Sequence, residues 1–111
     1  MPSGPIPAEP VDGATARPSW TFLTNHAHVL ICIAMNPEIR QRDIARLVGI
    51  TERAAQKIVS ELEESGYVTR ERVGRRNRYH LDTTIPLRHP LEAHHRIGEL
   101  LEIFRTDGVR I

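Results

Sequence analysis

Two short stretches hold the side chains best suited to chemistry. In "TERAAQKIVS", residues 51–60, a helix that buries Ala55, Ile58, Val59 and Leu62 would leave Thr51, Glu52, Arg53, Gln56, Lys57 and Ser60 on its open side. In "GRRNRY", residues 74–79, Arg75, Arg76 and Arg78 fall within six positions, and Arg72 stands two residues earlier. These groups suit recognition rather than bond-making. A guanidinium matches guanine O6/N7, a carboxamide matches adenine N6/N7, and lysine or arginine binds phosphate. Threonine and the free N–H groups at a helix start also suit phosphate. Neighbouring arginines repel one another, so this concentration points to an anionic partner at one face.

Other chemistries lack their residues. The chain has no phosphate-cradling Gly-rich motif, no HExxH, no GxSxG and no nucleophile in a recognisable setting, so no enzyme is expected. The single Cys32 forms no intramolecular disulfide or CxxC site, and within "VLICIAM" it reads as a small core residue. His89, His94 and His95, near Glu92 and Glu99, invite a metal reading. Adjacent His94 and His95 do not easily face one ion from a regular helix, however, whereas His95 and Glu99 suit an i, i+4 pair. No metal or other cofactor is expected. His26 and His28 read as first-turn helix residues, and His80, alternating with Arg78, as a phosphate contact.

Composition agrees with an ordinary globular chain of 111 residues, 40% apolar and 26% charged. The net charge is only +1, but residues 1–39 carry −2, residues 40–80 carry +4 and residues 81–111 carry −1. The basic excess therefore sits in the middle third. No signal-peptide pattern opens the chain, and the longest apolar run, Val29 to Met35, is far short of a membrane span. With one cysteine, a reducing cytoplasm is the simplest compartment.

The elements that must position these residues follow from periodicity and caps. Residues 1–18 hold five of the eight prolines and two glycines and read as a disordered tail. A first helix runs from about Asn25 to Met35, capped by Thr24 or Asn25 and stopped by "NP". Its last turns are apolar nearly all round, which requires cover on every side. That cover comes either from a second subunit or from the chain's own last helix. A short helix spans Gln41 to Val48 and a third Glu52 to Ser65, with Gly49 between them and Thr51 as N-cap. "YVTRERV" then reads as a strand, "GRRN" as a turn and "RYHL" as a return strand. Gly74 and Asn77 would permit the turn, while Tyr79 and Leu81 anchor the return strand. "TTIPLRHP" is linker, and a last helix runs from about Leu91 to Phe104.

Residues 41–60, "QRDIARLVGITERAAQKIVS", have helix-turn-helix spacing: small Ala45 where two helices cross, Gly49 four residues later, and apolar Ile44, Val48, Ile50 and Ile58 between the helices. Ala55 is smaller than the branched residue usual at that inward position. A hairpin directly after makes the fold class mainly α with a β-hairpin wing, a winged helix-turn-helix over residues 19–82. Residues 83–111 are then linker and a C-terminal dimerisation helix. The stretch from Trp20 to Phe104, about three quarters of the chain, resembles winged-helix regulators of the MarR and ArsR type. With "WTFLTNHA", "GITERAAQ" and "GYVTRERVGRRNRYH", it is most similar to short actinobacterial members. The resemblance implies a homodimer that binds operator DNA and regulates transcription. Larger MarR proteins have longer terminal helices, which form a deep dimer interface and effector pocket.

Combining the two lines, Thr51, Glu52, Arg53, Gln56, Lys57 and Ser60 would read a major groove. Arg72, Arg75, Arg76 and Arg78 would hold the backbone or enter the minor groove. Leu30, Ile33, Ile97, Leu100, Leu101 and Phe104 would form the dimer interface. Double-stranded DNA and a second copy are the expected partners, with no membrane. The alternative is a winged-helix module that holds a protein partner without specific DNA binding. A ligand- or metal-gated sensor would add an effector to the first reading.

Overall fold

The computed structural model describes residues 18–105. The expected tail therefore lies outside the described residues except for Pro18, as does the chain beyond Arg105. The order is α1 (Asn25–Met35), α2 (Gln41–Val48), α3 (Glu52–Glu64), β1 (Val68–Val73), β2 (Arg76–Leu81) and α4 (Ile97–Arg105). Thr24 begins α1 as expected, its hydroxyl accepting from the Ala27 N–H at 3.3 Å. The hairpin is antiparallel, with Val68 opposite Leu81 and Val73 opposite Arg76.

One apolar core holds the elements together. Val29, Ile33, Ile44, Ala55 and Val59 are fully covered, with Leu62, Tyr67, Val68 and Tyr79 close behind. They come from α1, α2, α3 and the base of the hairpin, so the periodic stripe of α3 is sealed and its opposite side is left to solvent. Cys32 is buried too, and burial raises its thiol pKa to about 11. A thiol held protonated in this way behaves as a core hydrophobe.

The last helix differs from expectation: it starts at Ile97 rather than near Leu91. The apolar spacing suggests one continuous helix, but residues 89–95 close instead into turns. The Glu92 N–H donates to the His89 carbonyl at 2.8 Å, and the His95 N–H to the Glu92 carbonyl at 2.9 Å. Glu99 then accepts the Arg96 N–H at 2.9 Å, the back-reaching half of a capping box, which fixes the start at Ile97. Leu91 and Ala93 are exposed as a result.

The turn of the hairpin is also shorter than "GRRN". Val73 pairs with Arg76, which leaves Gly74–Arg75 as a two-residue loop. Gly74 has φ +63°, and its neighbours keep negative φ, as a turn with glycine in its first central position requires. Asn77 therefore plays no part in the turn. It lies in β2 opposite Arg72.

On one side of α1 the chain supplies its own cover, while Ile31, Ala34 and Met35 keep part of their surface. α4 packs on α1, and Leu30, Ile33, Ile97 and Leu101 all lie inside the core of one chain. Leu100 and Phe104 keep part of their surface, and Ile103 is 58% exposed.

Candidate nucleic-acid interface

The α2–α3 connection fixes how α3 is presented. Gly49 ends α2 with φ 88° and ψ 35°, and both its N–H and that of Ile50 donate to the Ala45 carbonyl, at 2.8 and 3.0 Å. A side chain would strain this left-handed corner. Two residues later Thr51 caps α3, its hydroxyl accepting from the Ala54 N–H at 3.0 Å. The Thr51 O–H is still able to donate outward. Thr51→Ala should lower unfolding free energy by about 1 kcal/mol, and Thr51→Ser should restore most of it. Denaturant titration measures both, and equal stability of all three proteins would remove the cap from the account.

On α3 the structure leaves Thr51, Glu52, Arg53, Gln56 and Lys57 exposed, with Ser60 half-buried. Among the described residues, the side chains of Arg53 and Gln56 have no hydrogen-bond partner. The face closes toward its C-terminal end. There Lys57 Nζ lies 3.9 Å from Glu61 Oε2, and His26 Nε2 lies 2.6 Å from Glu61 Oε1. The hydrogen bond from His26, aided by the positive charge of Lys57, holds the Glu61 carboxyl below its ordinary range.

The hairpin sorts its arginines by face. Arg70 turns toward α3 and makes a two-pronged pair with Glu63, Nε to Oε2 at 3.0 Å and Nη2 to Oε1 at 2.8 Å. That hydrogen bonding raises the Arg70 pKa, and it ties the base of the wing to the end of α3. Arg72 Nε donates to the Gly74 carbonyl at 3.2 Å. Arg75 sits in the turn, its side chain without a partner among the described residues. Arg76 and Arg78 lie on the opposite face and reach the loop before α2. Arg78 donates to Glu38 Oε2 through Nε (3.2 Å) and Nη2 (2.9 Å), and Arg76 Nη2 donates to the Glu38 carbonyl at 3.3 Å. A backbone bond from the Tyr79 N–H to the Pro37 carbonyl, 2.8 Å, holds β2 against that loop.

All four wing arginines expected from the sequence are exposed, but they are not equally free. His80 is paired with Glu71 at 2.7 Å rather than open to phosphate, and this hydrogen bond lowers the Glu71 pKa. Sequence reasoning passed over Arg40 and Arg42, which stand exposed at the start of α2. The +4 charge of residues 40–80 already contained them, but only the fold brings Arg76 and Arg78 of the wing to Glu38, just before them. His95 pairs with Glu99 at 2.6 Å and stacks obliquely on His94. Among the described residues, no three histidine, cysteine or acidic side chains are grouped to hold a metal ion.

A helix-turn-helix followed at once by an antiparallel hairpin, with helices before and after, defines a winged-helix protein. Residues 21–78 match the MarR family, and the chain belongs to it. This is a family of DNA-binding transcription regulators. An uncharacterized protein of Methanocaldococcus jannaschii is 32% identical over 60 residues, which cover 53% of this chain and 13% of that protein. No helix among the described residues is long and apolar enough to cross a membrane.

Proposed function

We propose that this protein is a sequence-specific, double-stranded-DNA-binding transcription regulator of the cytoplasm that acts as a homodimer without a catalytic role. One observation carries the reading. The N-terminal half of α3 holds Arg53 and Gln56 exposed and, among the described residues, unpaired, on a helix whose other side is locked into the core. Long donors in that position match base edges in a major groove, while Thr51 and Lys57 match phosphates. Arg72, Arg75, Arg76 and Arg78 supply the wing contacts. Likeness to short actinobacterial members and to ArsR regulators rests on the sequence motifs and belongs to this proposal.

The competing reading is a module that holds a protein partner with its first and last helices, and the exposed Trp20 and Phe22 just before α1 support it. Their rings meet edge to face with centroids 5.1 Å apart, and the two residues are 68% and 92% exposed. Gel-shift competition separates the two. A regulator resists excess unrelated duplex, whereas an interaction module binds DNA only weakly and loses every duplex equally to the competitor.

The assembly has its own test. Leu100 and Phe104, with Ile103 beside them, leave α4 an incompletely covered apolar edge. Leu30, Ile33, Ile97 and Leu101 shape that edge from within. Two-fold pairing there would set two recognition helices about 34 Å apart, one turn of DNA, and favour an inverted repeat. Sedimentation at micromolar concentration should show a dimer. A monomer, bound to DNA as a monomer, would defeat this part of the proposal.

A further inference from the structure

We infer that Glu38 is an internal stand-in for DNA phosphate: it holds Arg76 and Arg78 in the free protein and must be displaced when the wing engages a backbone. This rests on the proposed DNA-binding function and assigns it a residue on the opposing side of the charge balance.

The geometry is specific. Two of the four wing arginines converge on one residue in the loop between α1 and α2, about forty positions away in sequence. Arg78 gives two hydrogen bonds to a single carboxylate oxygen, and Arg76 gives one to the same residue's carbonyl. Phosphate oxygens accept such charge-assisted bonds from guanidinium in the same way. The carboxylate is held in place by its own backbone, because the Glu38 N–H donates to Asn36 Oδ1 at 3.1 Å and the Tyr79 N–H fixes Pro37 next to it. Yet the pair is open to solvent, its side chains 44% and 45% exposed. An open ion pair contributes little to folding stability, so a backbone phosphate can replace the carboxylate without unravelling the wing. Arg40 lies two residues beyond Glu38 and Arg42 four. Both are exposed, and their side chains have no partner among the described residues, so the phosphate that displaces Glu38 meets further positive charge.

The consequence is a brake on charge-driven binding. Non-specific affinity comes almost wholly from neutralised phosphates, so a carboxylate that occupies Arg78 lowers affinity for every duplex. Arg53 and Gln56 are untouched by it, and discrimination between sequences survives.

Glu38→Gln keeps the shape and removes the charge. At 100 mM salt it should bind duplex DNA about three- to tenfold tighter, with a log K against log salt slope steeper by about 0.9 per protomer. The gain should disappear when Arg78→Ala is added and persist when Arg75→Ala is added instead. Glu38→Ala should shift affinity in the same direction, and circular dichroism confirms the fold of each variant. Unchanged or weaker binding by both Glu38 variants, with wild type binding normally, would overturn the inference alone. A gain that survives in full with Arg78→Ala would overturn it too, by showing a general charge effect. If neither wild type nor variants bind DNA, the proposed function fails and the inference with it.

Discussion

Arg53→Ala should weaken binding to the preferred duplex by roughly 1–3 kcal/mol, and Gln56→Ala by a similar amount, each lost bidentate contact accounting for its share. In dissociation constants this is about fivefold to 150-fold for each residue by the same range. The pattern across sequences matters more than the size. Each variant should relax preference at one or two base pairs and leave binding to unrelated duplex nearly unchanged, because base contacts specify while phosphate contacts position. Neither side chain has a partner among the described residues, so truncation removes no contact there and leaves no buried group unpaired. Stability should accordingly move by no more than about 0.5 kcal/mol, the usual range for open surface positions. Competition assays with single-base-pair variants of a bound duplex check this. Equal weakening on every duplex would mean that Arg53 and Gln56 touch the backbone and read nothing.

The second large effect belongs to the wing. Replacing Arg75 and Arg76 together with alanine should flatten the slope of log K against log salt by about 2 per protomer, one phosphate contact for each arginine. For a dimer the change doubles, enough to alter affinity by two orders of magnitude or so across a fourfold salt range on the same rule. Preference among sequences should largely survive. If one arginine enters the minor groove, preference for A·T-rich flanks should fall as well, since the narrow groove attracts guanidinium. Among the described residues the Arg75 side chain has no partner and the Arg76 side chain has one bond, to the Glu38 carbonyl, so the hairpin should keep its fold. An unchanged slope in the folded double variant would detach the wing from the interface.

What the sequence made legible follows its short-range signals. The first helix and the Gln41–Val48 helix have the bounds read from their caps and stops, and α3 differs by one residue at its end. For α2 and α3 a strong apolar period is bounded by residues with their own backbone preference, Gly49 and Thr51, whereas α1, apolar nearly all round, was bounded by the Thr24 cap and the "NP" stop. The last helix was misplaced because Leu91 and Ala93 continue an apolar spacing that the backbone does not follow. The deciding contact, Glu99 to the Arg96 N–H, is a capping geometry easily hidden inside an apparently continuous pattern. Asn77 was drawn into the turn by residue type, whereas pairing with Arg72 sets it in the strand. In the interface, the exposed side of α3 was readable from period alone. The bonds of Arg78 and Arg76 to Glu38 were not, because helical and strand periodicity says which residues share a face but not which loop lies across from it. For the same reason, periodicity set Leu30 and Ile33 in a dimer interface, whereas within one chain the core that α4 helps to form already buries them.

The central claim is that α3 reads DNA sequence, and selection from a random duplex library by the purified full chain tests it most directly. Successive rounds of capture should enrich an inverted repeat whose half-sites lie about one helical turn apart, each with guanine or adenine where Arg53 and Gln56 reach. Recovery of a pool as random as the starting library, at a salt concentration where the protein still retains DNA, would contradict the account.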